Sequence, residues 1–181
     1  MTILVTGATG QLGAAFARKA WRKEHSVVAL DRRALDLTKA TSVENTIQQL
    51  KPSVILNCAA YNDVDGAEDD PVTALSVNAF GVRVLASAAL EVGATLVHYS
   101  TDFVFDGTAT SPYTEDARPN PQSVYAMSKL LGEWFAQDAK AYVLRVESLF
   151  GGGITSALAE GVPKRGSSLD RIADAILDGV E

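Results

Sequence analysis

A short apolar run, Ile3-Leu4-Val5-Thr6, stops at a turn with glycine at every third position, Gly7-Ala8-Thr9-Gly10-Gln11-Leu12-Gly13. The stretch from Gln11 to Arg22 then carries Leu12, Ala15, Phe16 and Ala20 at helical spacing. A buried strand, a glycine turn and a helix in immediate succession leave few folds open. The glycines permit the tight turn, let backbone approach a pyrophosphate, and let helix and strand pack closely. The amide end of the helix then faces the anion. A plain glycine-rich turn is the alternative that spacing alone leaves standing.

The rest of the chain repeats the alternation. Ser26 to Leu30 is a second β-rich run, closed by Asp31. Thr41 to Leu50 has a cap-like start and then Val43, Ile47 and Leu50 on one face. Ser53 to Leu56 is a third strand, introduced by Pro52. Pro71 marks the first turn of a long helix reaching Glu91, with Asp69 and Asp70 at its positive end and Gly93 as its stop. Thr95 to Tyr99 is a fourth strand, followed by a polar stretch from Asp102 to Gln122. Ser123 caps a helix through Ala136, and Tyr142 to Val146 is a fifth strand. Near-continuous apolar strands joined by helices indicate the α/β class, a Rossmann-type doubly wound parallel sheet covered on both faces. After Ser148 there is a short helical pattern near Ala157 and a stronger one from Leu169 to Leu177.

Composition narrows the function classes. At 181 residues the chain is the size of one domain. It is 47% hydrophobic and 21% charged, which excludes a disordered, coiled-coil or collagen-like chain. A net charge of −6 argues against nucleic acid or an anionic membrane as partner, because both need a cationic field. The single Cys58 and the two histidines, His25 and His98, offer no disulfide and little for a metal site, so none is expected. No apolar run approaches the ~18 residues of a membrane span, and no signal peptide is recognisable. The expected compartment is the cytoplasm.

Three groups of residues carry chemistry. Asp31 ends the second strand, 24 residues beyond Gly7, where an acidic residue can bind the adenosine ribose of NAD. Arg32 and Arg33 follow it, and an arginine there can hold the 2′-phosphate of NADP or simply lie in a solvated loop. Tyr125 and Lys129 stand four residues apart on one helix and therefore share a face. A nearby ammonium favours the phenolate, and bringing a tyrosine from ~10 to about 7 takes ~4 kcal/mol. A tyrosine so tuned can give a proton to a carbonyl oxygen as hydride arrives. Ser100-Thr101-Asp102 lies at the carboxyl end of the fourth strand, where open α/β sheets bind ligands.

Together these residues resemble the extended short-chain dehydrogenase/reductase superfamily, and more closely its dTDP-4-dehydrorhamnose reductase branch. The resemblance runs from Met1 to about Gly152. It rests on TGATGQLG at 6–13, NCAAYNDVDGAED at 57–69, VNAFG at 77–81, YSTDFVFDGT at 99–108, PYTEDARPNPQSVYAMSKLLGE at 112–133 and VLRVESLFGG at 143–152. It implies Thr101, Tyr125 and Lys129 as the catalytic set. Tyr125 is then the proton donor, Lys129 binds the nicotinamide ribose and lowers the tyrosine pKa, and Thr101 orients the ketone.

It further implies Gly7, Gly10, Gln11, Leu12 and Gly13 at the pyrophosphate, and Asp31 and Arg32 at the adenosine ribose. Asp36 and Leu37 fall at the adenine edge, and Ala59, Ala60 and Tyr61 beside the nicotinamide. Asn78 stands behind them, Arg145 and Glu147 near the pocket, and Thr101, Asp102 and Phe103 on the substrate side. The implied reaction is NADPH- or NADH-dependent reduction of a nucleotide-linked 4-keto-6-deoxysugar, giving dTDP-L-rhamnose. The implied partner is that nucleotide-sugar, with a homodimer as the assembly to test.

Phe103 replaces the usual Tyr of STDYVFDG, and Asn62 a usual Thr; both bear on the sugar. Gly66 and Ala126 also depart from the common Lys and Gly. The final 31 residues hold no aromatic side chain. The expected division is therefore a dinucleotide-binding domain over 1–150 and a tail over 151–181 that starts a substrate lobe cut short. Two other readings remain: a non-catalytic dinucleotide-binding protein like the regulatory subunit of methionine adenosyltransferase, and a sugar-nucleotide epimerase or dehydratase.

Overall fold

The computed structural model describes residues 1–20, 25–149 and 168–179. Five strands form one sheet: β1 (Thr2–Thr6), β2 (Ser26–Leu30), β3 (Val54–Asn57), β4 (Thr95–Thr101) and β5 (Ala141–Val146). Their order is β2-β1-β3-β4-β5, every pair parallel. The expected doubly wound α/β sheet is therefore present.

Strand alternation divides the core between two faces. Leu4, Ile55 and Leu96 point to one face, where they meet helices α2 (Ala40–Leu50), α5 (Gly81–Val92) and α6 (Val124–Ala136). Ile3, Val5, Val54, Leu56, Val97 and Tyr99 point to the other. That face is covered by Phe16 of α1 (Gln11–Ala20) and by Ala173 and Leu177 of α7 (Ser168–Gly179). A Lys19–Asp174 ion pair ties α1 to α7. The tail thus contributes one helix to the core of the sheet. The pattern near Ala157 and the 150/151 boundary lie outside the described residues.

The register lines up Thr6 and Asn57, at the carboxyl ends of β1 and β3, with His98 in the middle of β4. All three are buried. Thr6 Oγ1 donates to Asn57 Oδ1 (2.7 Å), and Asn57 Nδ2 meets His98 Nδ1 (3.1 Å). This polar row ends the hydrophobic part of the sheet and begins the site. Strand β4 runs two residues further than the apolar pattern predicts, because Ser100 and Thr101 still pair with Arg145 and Val146.

Three expectations need correction. Helix α2 starts at Ala40, and its cap residue Lys39 makes no side-chain bond. Thr41 lies inside the helix, since the turn before it is closed by Asp36, which accepts from the Thr38 N–H. The long helix from Pro71, which follows the short α3 (Val64–Asp69), is not uniform. It runs α4 (Pro71–Leu75), a π turn (Ser76–Phe80), then α5, and Gly93 stops it in the left-handed conformation. That helix is also long and apolar enough to cross a membrane, contrary to the sequence expectation. Half of the window is buried, and Val82, Leu85, Ala86 and Ala89 pack into the core, so its hydrophobicity serves the sheet.

Candidate active site

Two cavities meet at Gly10, Cys58, Ala60 and Asn62, above the carboxyl ends of β1, β3 and β4. A shallower cleft continues past Thr9 toward the end of β2. The first cavity, about 340 Å³, is lined by Gly10, Gln11 and Leu12 on one side and by Thr101, Asp102, Phe103, Tyr125 and Lys129 on the other. The second is lined by Gly7, Gly10, Arg32, Asp36, Leu37, Ala59, Ala60 and Tyr61. Asp31 joins Arg32, Arg33 and Asp36 along the cleft.

The glycine turn shows why side chains are excluded. Gly7 has φ +63°, and a Cβ there would sit 2.7 Å from Ala59 N and Cys58 O. Gly13 stands at the third glycine position, where a Cβ would lie 2.3 Å from the Gly7 carbonyl oxygen. It lets α1 press against the turn. Helix α1 has no acidic residue in its first turn, so no carboxylate of its own first turn offsets its positive end. Asp31 is partly committed, because the N–H groups of Arg33 and Ala34 both donate to its Oδ1 at 3.0 Å.

Tyr125 enters the cavity from the first turn of α6, which Ser123 caps by accepting from the Ala126 N–H. Burial holds the Tyr125 phenol above its ordinary pKa; a hydrogen bond with Thr101 acts in the opposite sense, and Asp102 adds to the rise. Lys129 is almost fully buried, and burial lowers its pKa to about 8 against the opposing charge of Glu133. Its Nζ donates to the Tyr99 carbonyl (2.6 Å). The expected lowering of the Tyr125 pKa by Lys129 is thus not seen in this structure. The ammonium is held on β4, Lys129 is not among the groups that shift Tyr125, and desolvation dominates the phenol. Thr101 Oγ1 donates to Asp102 Oδ1 (3.1 Å) and accepts from the Phe103 N–H.

Other functional positions escape sequence reasoning. Cys58 lines both cavities, with its thiol pKa raised by burial. Asn78 was expected behind the pocket, but its bonds to Tyr61 and to Ser128 Oγ (2.9 Å) are visible only here. Gly132 gives the space for this approach, since a Cβ there would lie 2.2 Å from the Asn78 carbonyl oxygen. Leu169 reaches the first cavity from α7. Arg145 lines neither of the two cavities nor the cleft; it grips Glu133, while Glu147 does line the first cavity. Among the described residues, no group of three or more His, Cys, Asp or Glu is placed to hold a metal ion.

The family model described as RmlD substrate binding domain matches residues 1–168. The chain belongs to this family. A dTDP-4-dehydrorhamnose reductase of Burkholderia thailandensis is 47% identical over 133 residues, covering 74% of this chain and 44% of that protein. The crystal structure of a dTDP-4-dehydrorhamnose reductase from Clostridium acetobutylicum superimposes with a TM-score of 0.89 at 36% identity, covering 99% of this chain and 70% of that one. The corresponding Bacillus anthracis enzyme, in complex with NADP, gives 0.80 at 36% identity and covers 82% of this chain and 54% of that one. The chain spans about half the length of the curated relatives it matches in the RmlD substrate binding domain family.

Proposed function

We propose that the chain is an NADPH- or NADH-dependent reductase of a nucleotide-linked 4-keto-6-deoxysugar, of the dTDP-4-dehydrorhamnose reductase type. The observation that carries this reading is the convergence of Thr101, Tyr125 and Lys129 on the cavity that Gly10, Gln11 and Leu12 close from the other side. The residues fit a dinucleotide. The positive end of α1 and the glycine turn suit a pyrophosphate, Arg32 and Asp36 the adenosine end, and Ala59, Ala60 and Tyr61 the passage between. When bound, the reduced nicotinamide supplies a hydride.

The chain's own residues supply the remainder. Thr101 would donate to the ketone oxygen the proton it now gives to Asp102. Tyr125, whose phenol burial holds all the more firmly in its protonated form, carries the proton that the oxygen needs as the carbonyl becomes an alcohol. Lys129, released from the Tyr99 carbonyl, would hold a ribose hydroxyl and bring its charge toward the phenol. In this reading residues 1–150 hold the dinucleotide and the tail over 151–181 starts the substrate side, where Leu169 at the start of α7 lines the first cavity.

Fluorescence titration with NADH and NADPH, followed by addition of dTDP-4-keto-6-deoxymannose with absorbance readout, tests the proposal. Binding of at least one dinucleotide and consumption of it with the sugar is expected. Binding without consumption returns the non-catalytic reading. No binding of either dinucleotide overturns both.

A further inference from the structure

Arg145 lies at the end of β5, opposite Ser100, and touches three separate parts of the site's surroundings. Its guanidinium grips Glu133 of α6 with two parallel bonds, Nε to Oε1 (2.9 Å) and Nη2 to Oε2 (2.7 Å). Glu133 is buried one turn after Lys129, and its charge acts on that lysine. The other side of the guanidinium lies 5.0 Å from the Phe105 ring centre, and Nη1 points to the Glu115 carbonyl (3.5 Å).

Phe105 in turn stacks on Tyr113 (4.3 Å, 5°). Tyr113 donates to Asp106 (2.6 Å), which also accepts from Asn120 and Thr108. These residues shape the stretch 102–122. Phe103, Phe105, Asp106 and Tyr113 from that stretch line a cavity whose Asp102 and Phe103 also wall the first one. Phe103 meets Tyr125 edge-on at 6.2 Å.

We infer that Arg145 is a positioning residue for the substrate wall. By clamping Glu133 and carrying the Phe105–Tyr113 stack, it fixes the 102–122 stretch relative to the helix that bears Tyr125 and Lys129. The identity of what meets this wall, the sugar end of a nucleotide-sugar, rests on the proposed reductase reading. The clamp itself does not. A lysine could keep the charge but neither the fork nor the flat contact with the ring.

The test uses the full chain and Arg145→Lys, Arg145→Met and Phe105→Leu variants, followed by hydrogen exchange of amides 105–117. Phe105→Leu leaves the buried ion pair intact and serves where an Arg145 variant does not fold. Exchange over 105–117 is expected to quicken about tenfold in each folded variant, while exchange in β1 and β3 is unchanged. Dinucleotide affinity should stay at the wild-type value, and KM for the nucleotide-sugar should rise more than kcat falls. Wild-type protection of 105–117 in Phe105→Leu, or in Arg145→Lys where it folds, overturns the inference. So does a loss of dinucleotide affinity in step with the loop. Absence of turnover in the wild type bears on the reductase reading alone, because the exchange measurement needs no substrate.

Discussion

Asn78 holds Tyr61 by both of its backbone polar groups: Oδ1 accepts from the Tyr61 N–H at 2.8 Å, and Nδ2 donates to the Tyr61 carbonyl at 3.0 Å. The second Nδ2 hydrogen goes to Ser128 Oγ, which itself donates to the Tyr125 carbonyl (2.7 Å). One buried amide therefore joins the cavity wall at Tyr61 to the helix that presents Tyr125. The π turn over Ser76–Phe80 contains Asn78, and Gly132 of α6 leaves room for its backbone.

Replacing Asn78 by Ala leaves the Tyr61 N–H and carbonyl and the Ser128 hydroxyl short of partners. At about 1–3 kcal/mol for a buried polar group left unmatched, Asn78→Ala should lose about 2–4 kcal/mol in urea unfolding. Ser128→Ala removes the two bonds of one hydroxyl but keeps both Asn78–Tyr61 bonds, and should lose only about 1 kcal/mol. Equal stability of the two variants would contradict the clamp.

Gly13 and Gly107 make opposite predictions for the same substitution. A Cβ at Gly13 meets the Gly7 carbonyl at 2.3 Å, with backbone on both sides of the clash. Gly13→Ala should therefore cost at least about 3 kcal/mol and abolish dinucleotide binding by moving the turn. Gly107 has φ +72° and open space around its Cβ position. Gly107→Ala pays only the left-handed strain of about 1–2 kcal/mol and should bind dinucleotide normally. Thermal melts and fluorescence titrations of the pair separate the two effects.

How much of this was legible in the sequence depends on whether the information was local. The strands, the glycine turn, the Ser123 cap and the Tyr125–Lys129 face all follow from periodicity or from residues a few positions apart. The Thr6–Asn57–His98 row draws one residue from each of three strands, and only the sheet register brings them together. Arg145 and Glu133 are likewise far from Phe105 in sequence. The direction of the Tyr125 shift depends on burial, which a Tyr-x-x-x-Lys spacing does not encode. Gly13 fits the motif, yet its close approach to the Gly7 carbonyl emerges only from the packing of α1. In the tail the helical pattern from Leu169 to Leu177 is legible, but its docking beside Phe16 on the sheet, which buries Leu169, Ala173 and Leu177 completely, joins residues far apart in sequence.

Arg32 should decide between the two dinucleotides. It lines both the second cavity and the cleft, whereas the neighbouring Asp31 already accepts two backbone N–H groups. A charge-assisted bond to a 2′-phosphate is worth about 1.5–3 kcal/mol, or roughly tenfold or more in affinity. Arg32→Ala should weaken NADPH by that factor and leave NADH nearly unchanged in parallel titrations. Equal losses for both would place Arg32 away from the 2′ position.

Lys129 sets function against stability. Burial lowers its pKa from 10.5 to about 8, so the folded chain holds this proton less tightly than the unfolded chain does. Keeping the ammonium charged at pH 7 therefore costs about 3 kcal/mol, at 1.36 kcal/mol per unit of pKa. The sign gives the pH dependence: a depressed pKa contributes stability that is fully present above the unfolded value of 10.5 and is lost as pH falls to about 8. Cys58, Tyr99 and Tyr125 run the other way at alkaline pH, because burial raises their pKa values and their stabilising effect fades as pH climbs. A difference measurement removes those common contributions. Lys129→Met should be more stable than the wild type at pH 7, by up to about 3 kcal/mol less the lost bond to Tyr99. The advantage should persist down to neutral pH and shrink between pH 8 and 10.5 as the wild-type lysine loses its charge in both states. Urea midpoints of the two proteins across that range provide the test, and a Met variant less stable at every pH would show that the Tyr99 contact outweighs the desolvation of the ammonium.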